Sequence, residues 1–259
     1  MQLPLYQVDA FTDKVFKGNP AAVCPLKEWL DDQTMQSIGA ENNLAETAFF
    51  VPVEAGFHIR WFTPTVEVDL CGHATLATAH VLFNHLNYKE DIIRFKSQRG
   101  ELRVTKSGDL LTLDFPATKP DKQALSEDII SAMGQAPLEV WKSRDYLLLY
   151  KDEETVRSLQ PNFNSMLKLD CLGVIATAAG DHSDFVSRFF APAAGIPEDP
   201  VTGSAHTTLI PFWSDRLKKK KLHAFQVSKR GGELFCEDKV SRVFISGRAA
   251  TYLQGKIQL

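Results

Sequence analysis

Apolar and polar residues alternate with the period of a β-strand through most of this chain, and helical spacing takes over in only a few segments. Leu5 to Phe11 alternates as a strand, and Phe16-Lys17-Gly18-Asn19-Pro20 carries turn chemistry. Leu30 to Ile38 sets Leu30, Thr34, Met35 and Ile38 on one helical face. Glu46 to Val53 and Phe57 to Phe62 read as two strands of a hairpin. His73 to Leu86 is a helix that is apolar nearly all round, with Ala74, Leu76, Ala77, Ala79, Val81, Leu82 and Phe83. A helix with so little polar face belongs inside something. Strands follow at Ile92–Ser97, Glu101–Lys106 and Leu110–Asp114, the last two split by Ser107-Gly108-Asp109.

Thr118 to Ala124, polar and containing Pro120, reads as a linker. The second half repeats the pattern of the first. A helix at Glu127–Met133 precedes strands near Tyr146–Tyr150, Leu172–Ala178 and Phe185–Phe190. A second apolar helix, Ser204–Leu217, should kink at Pro211. Strands come last, at Ala224–Ser228, Glu233–Glu237 and Val240–Ser246. A sheet closed around each apolar helix would cover both the helix and the sheet's own edges. The expected fold class is α+β: two pseudo-symmetric domains, each a barrel-like, mostly antiparallel sheet around a central helix. Their expected bounds are 1–118, with possible exchange of the C-terminal tail, and 119–259.

The halves also echo each other residue by residue. Phe57-His58-Ile59-Arg60-Trp61-Phe62-Thr63-Pro64 returns as Phe185-Val186-Ser187-Arg188-Phe189-Phe190-Ala191-Pro192, with four of the eight positions identical. Glu67 to Ala74 returns as Glu198 to Ala205, and Arg99-Gly100-Glu101-Leu102 matches Gly231-Gly232-Glu233-Leu234. Three matches in the same order indicate a duplication. Its copies differ where chemistry would occur, which points to an enzyme with its site in the cleft between them.

Composition narrows the class. At 259 residues the chain is near the size at which one core gives way to two, and 44% hydrophobic with 24% charged residues is ordinary for a globular protein. A net charge of −3 argues against a general nucleic-acid partner. The run Lys218 to Lys221 follows a helix and more simply complements its C-terminal dipole. Cys24, Cys71, Cys171 and Cys236 lack metal-ligand spacing, and no signal peptide or membrane-length apolar run is evident. The expectation is a reduced, soluble, cytoplasmic protein with no metal and no cofactor, without phosphate loop or nucleotide motif.

Gly72 and Gly203 each open a central helix, where backbone N–H groups lack intrahelical acceptors and glycine admits a ligand closely. Such termini suit a carboxylate or an enolate oxygen, although each is also a tight turn. Glu46 is the lone charge between Glu41 and Glu54; partly withdrawn from water it would exchange protons near neutral pH, and otherwise it is an exposed strand end. His73 and Ser204 follow the two glycines. The helix dipole should lower the pKa of His73 and keep it neutral, whereas Ser204 can bind substrate or merely cap its helix. Asp199 can bond substrate, hold His73 or stabilise its turn. Cys71 has Thr202 as its counterpart, which cannot supply a second thiol and so argues against a two-thiol racemase.

Several segments together resemble the phenazine-biosynthesis PhzF-like family within the diaminopimelate-epimerase-like superfamily. They are Val8-Asp9-Ala10-Phe11, Gly18-Asn19-Pro20-Ala21-Ala22-Val23, Leu44 to Phe49, Arg60 to Pro64, Leu70 to Thr75, Phe190-Ala191-Pro192, Glu198 to His206 and Arg230 to Leu234. The resemblance implies two pseudo-symmetric domains, a homodimer, and a cofactor-free isomerase acting on a small carboxylate with Glu46 as acid/base. It places His73 and Asp199 among the catalytic positions, and Gly72, Gly203 and Ser204 in the substrate pocket. In the phenazine enzyme the glutamate moves a proton between ring carbons of a dihydro-hydroxyanthranilate. Two other readings stay open here: a racemase or dehydratase with Cys71 as base opposite Thr202, and a non-catalytic binding or scaffold protein.

Overall fold

The computed structural model describes residues 1–259, which divide into two compact units: Met1–Phe115 with Ile245–Leu259, and Pro116–Phe244. In the first unit β1 (Gln2–Ala10) pairs antiparallel with β2 (Asn19–Pro25) and with the C-terminal strand Ala249–Gln258. Helix α1 (Asp32–Asn42) leads into β3 (Glu46–Val53), which lies parallel to β2. β4 (Gly56–Phe62) returns antiparallel along β3 and pairs with β5 (Glu67–Val68). After helix α2 (Gly72–Asn84), β6 (Ile92–Ser97) joins β4 in parallel, and β7 (Gly100–Ser107) and β8 (Leu110–Pro116) complete a meander.

α1 starts later than its apolar spacing suggests because Asp31 caps it, accepting a hydrogen bond from the Thr34 N–H at 2.8 Å. Its inner face, Met35 and Ile38, closes a core with Phe49, Val51 and Phe62. α2 is the buried helix that its composition demands: every residue from Gly72 to Ala79 is buried, and it packs on β1, β2 and β3. Trp61, Phe95 and Leu76 are almost wholly buried, each contributing roughly 1.5–3 kcal/mol by leaving water.

The second unit begins with β9 (Asp121–Gln123), inside the segment whose polarity suggested a linker. β9 pairs antiparallel with β10 (Glu139–Lys142), so backbone pairing at an edge decides its conformation although its three residues are exposed. Helix α3 (Glu127–Met133) lies between them. β11 (Tyr146–Leu149), short helices α4 (Glu153–Ser158) and α5 (Phe163–Met166), and β12 (Val174–Ala178) follow. β13 (Phe185–Ala191), β14 (Ile196–Asp199), helix α6 (Gly203–Leu217), β15 (Lys221–Gln226), β16 (Gly232–Asp238) and β17 (Arg242–Gly247) complete the unit, with β17 spanning its boundary.

The pairing sequence of the first unit recurs. β10 and β11 are antiparallel, β11 and β12 parallel, β12 and β13 antiparallel, β13 and β14 antiparallel, β13 and β15 parallel, and β15 and β16 antiparallel. One ion pair recurs with it. Arg60 holds both oxygens of Glu67 at 2.7 Å and lies over the Phe62 ring. Arg188 holds both oxygens of Glu198, at 2.7 and 3.0 Å, and lies over Phe190. Each bidentate pair ties a long strand to the two-to-four-residue strand beside it, just ahead of the central helix.

α6 runs through Pro211 as one helix. Proline removes the N–H that would bond the Thr207 carbonyl, but that carbonyl instead accepts from the Thr118 N–H at 3.0 Å. Lys218 ends the helix in the left-handed region (φ 53°), and Lys218, Lys219 and Lys220 pair with Asp215, Asp184 and Asp238. Three of the four lysines of the run are thereby paired locally.

Candidate active site

Glu46 opens β3 and His73 is the second residue of α2, and both are buried. Glu46 Oε2 lies 3.1 Å from His73 Nε2. The ring N–H does not aim at that oxygen, so neither atom has an aligned hydrogen-bond partner although both are shut off from solvent. The other edge of the imidazole is held: the Asn19 side-chain amide lies 3.2 Å from Nδ1, and the Cys71 sulfur touches Nδ1 at 3.5 Å. Gly72, between Cys71 and His73, is the first residue of α2, and the Cys71 side chain does not cap the helix.

Gly18 makes the placement of Asn19 possible. Its φ is +62°, and a Cβ there would meet the Ala10 carbonyl oxygen at 2.1 Å. The turn is also held by the Phe16 N–H, which donates to Asp9 Oδ2 at 2.8 Å. The Gly-Asn-Pro run signals a turn in the sequence, but nothing local signals that Asn19 faces a histidine 54 residues away.

The charge state of His73 corrects the expectation of a neutral ring. Burial opposes the imidazolium, but the Glu46 carboxylate in contact with the ring outweighs it and holds the His73 pKa well above the usual histidine range. The helix N-terminus also opposes the charge, but Glu46 is in direct contact with the ring. Burial, reinforced by Glu46, pushes the Cys71 thiol up to about 11, so it stays protonated at neutral pH. Sγ, one carboxylate oxygen and one imidazole nitrogen of this trio lie within 4.8 Å of one another, a donor set that can hold a metal ion.

In the second unit Asp199 closes β14 and is buried. Thr202 Oγ1 donates to its Oδ2 at 2.5 Å. The fully buried Gln226 side chain locks the pair, accepting from the Thr202 N–H at 2.8 Å and donating to the Asp199 carbonyl at 2.8 Å and to Thr202 Oγ1 at 3.1 Å. Gly203 then opens α6, again with no side-chain cap from the preceding residue. Ser204 does not cap this helix; its hydroxyl accepts from Arg144 at 3.3 Å. His206 Nδ1–H donates to the Thr202 carbonyl at 2.8 Å, and burial lowers its pKa to about 4, leaving it neutral.

The structure thus brings Glu46, Gly72 and His73 together in the first unit, and Asp199 and Gly203 together in the second. Asn19, Gln226 and Arg144 join these groups; Asn19 lies in a segment the sequence marks as a turn, whereas Gln226 and Arg144 do not stand out. Gln226 follows ordinary strand alternation, and its role depends on a turn 24 residues away.

Residues 8–255 match the family described as phenazine biosynthesis-like protein, PhzC-PhzF. The chain is 51% identical, over the full length of both proteins, to an uncharacterized isomerase of Pseudomonas aeruginosa. A crystal structure of a phenazine biosynthesis PhzF-family protein from Enterococcus faecalis superposes with a TM-score of 0.98 at 50% identity, covering all of both chains. A hydroxyproline epimerase from Agrobacterium vitis superposes at 0.65 with 10% identity, over 100% of this chain and 93% of its own, which shows a shared epimerase-type fold. No helix is long and apolar enough to cross a membrane. With two repeated α+β units and a match across nearly its whole length, the chain belongs to the PhzC–PhzF phenazine biosynthesis-like family.

Proposed function

We propose that the protein is a cofactor-independent isomerase that moves a proton within a small unsaturated carboxylate, with Glu46 as the general acid/base. The observation that carries this reading is the buried Glu46–His73 pair, 3.1 Å apart and without an aligned hydrogen bond. A carboxylate so placed takes a proton from a carbon α or γ to the unsaturated system. The electron pair left behind delocalises onto the substrate carboxylate, and the same oxygen returns the proton at the second carbon. The His73 imidazolium beside it offsets the negative charge that develops, in a site where little water competes.

The roles of Asp199, Gly203 and Ser204 in orienting substrate, and the homodimer, come from the family resemblance and are part of the same proposal. So is a cytoplasmic location, with which four free cysteines agree. Cys71 as the base is the weaker reading, because its thiol is buried and its pKa is pushed up to about 11.

The test is deuterium wash-in from heavy water across a panel of small unsaturated carboxylates, followed by mass spectrometry. The native protein should label at least one member of the panel. Glu46→Gln should slow that labelling by about 100-fold or more, within the usual range for loss of a general acid/base, while leaving the melting temperature nearly unchanged. Labelling at the native rate in Glu46→Gln would remove Glu46 from the chemistry.

A further inference from the structure

A buried polar atom without a partner needs a physical reason, and here two of them lie side by side. Glu46 Oε2 and His73 Nε2 are 3.1 Å apart, both closed to solvent, and neither is aimed at the other. The Cys71 sulfur completes a set of three donors within 4.8 Å. Carboxylate oxygen, imidazole nitrogen and thiolate are the three ligand types that zinc accepts in one tetrahedral shell.

We propose that Glu46, Cys71 and His73 form a binding site for a soft divalent cation of the zinc type, and that the ion acts as a reversible inhibitor by occupying the carboxylate. The dimensions agree. Zinc–ligand bonds of roughly 2.0–2.3 Å put neighbouring donors about 3.3–3.8 Å apart. The oxygen–nitrogen pair is already close to that spacing, and the sulfur closes the set by a shift of about 1 Å or less. Binding releases two protons to solvent, one from the Cys71 thiol as the sulfur–metal bond forms and one from the His73 imidazolium as Nε2 takes the ion. Asn19, whose side-chain amide lies at Nδ1 on the opposite ring edge, is placed to fix the imidazole by accepting the Nδ1–H through its amide oxygen, as outer groups do around bound metals. The Glu46 side chain keeps 12% of its surface exposed against 5% for His73, so the fourth coordination position and the path in lie on the carboxylate side. Binding stands on the three donors alone, whereas inhibition rests on the proton-transfer reading above.

Cobalt(II) is the probe, because a cobalt–thiolate bond absorbs in the near ultraviolet. Metal-free protein should take up one Co²⁺ per chain with a sulfur-to-cobalt charge-transfer band, and one equivalent of Zn²⁺ should abolish that band. Cys71→Ser should lose the band and weaken zinc binding by about tenfold or more, whereas Cys171→Ser, at a half-exposed cysteine, should keep both. Circular dichroism of each variant checks that it folds. A native protein with no band, or a band that survives Cys71→Ser, overturns the site. Failure of proton transfer is separately visible: it leaves the cobalt band intact and removes only the deuterium labelling, while failure of the metal site leaves the labelling lost in Glu46→Gln.

Discussion

The entrances to α2 and α6 share a backbone and differ in how their polar groups are met. Cys71 and Thr202 both precede the helix in extended geometry, at φ −144° and −114°, and neither caps it. At α6, Thr202, Asp199 and Gln226 satisfy one another through four hydrogen bonds. At α2, an acid and an imidazole face each other with no aligned bond, beside a buried thiol. One position in a duplicated scaffold is a closed hydrogen-bonded turn in one copy and an acid–imidazole pair without an aligned bond in the other. The Arg–Glu clamps, alike in both copies, are what the two histories left in common.

The largest test of this contrast removes the amide that holds each entrance. Gln226→Leu leaves the Thr202 N–H and the Asp199 carbonyl buried without Gln226, at about 1–3 kcal/mol each, so a loss of about 2–6 kcal/mol in urea unfolding is expected. Asn19→Leu removes one contact to His73 and should cost about 1 kcal/mol. Equal losses in the two variants would mean that the second entrance is no more tightly built than the first.

Much of this was legible in the sequence because burial writes itself as periodicity. The all-apolar stretch after Gly72 could only be a core helix, and the echo of Phe57–Pro64 in Phe185–Pro192 follows the matching strands β4 and β13. What stayed hidden depends on distant partners. The Asp121–Gln123 strand is polar and forms because β10 lies beside it. The charge on His73 reversed its expected direction because a carboxylate from strand β3 touches it, which no local rule about helix dipoles contains. Gln226 reads as one more strand residue until the turn it closes is known.

Protonation gives a test of intermediate size, since the two helix histidines shift in opposite directions. His206 sits against the Phe185 ring and the Thr202 carbonyl, and burial lowers its pKa to about 4. Its contribution is present above pH 6.5 and is lost as pH falls toward 4, because the unfolded chain takes the proton first. The loss amounts to roughly 3 kcal/mol by pH 4. His73, raised by contact with the Glu46 carboxylate, stabilises below pH 6.5 and loses that contribution as pH rises through its folded value. Urea midpoints between pH 4 and 9, taken with a chelator present, should therefore peak near pH 6–7. His206→Gln should flatten the acid limb alone; an acid limb as steep as in the native protein would mean that other groups carry it.

The smallest effect expected is at Pro211, where the copies also diverge: the matching position in α2 is His80, which bonds the Thr251 hydroxyl at 2.9 Å. A proline inside a helix ordinarily costs about 3 kcal/mol, through a lost hydrogen bond and a clash with the carbonyl four residues earlier. Here that carbonyl, on Thr207, already accepts from the Thr118 N–H. Pro211→Ala returns an N–H to the helix but also frees the unfolded chain, an opposing change of about 0.4–1 kcal/mol. The two should nearly cancel, leaving unfolding free energy within about 1 kcal/mol of the native protein. A gain approaching 3 kcal/mol would show instead that the Thr118 contact does not relieve the helix, and that α6 carries strain that α2 lacks.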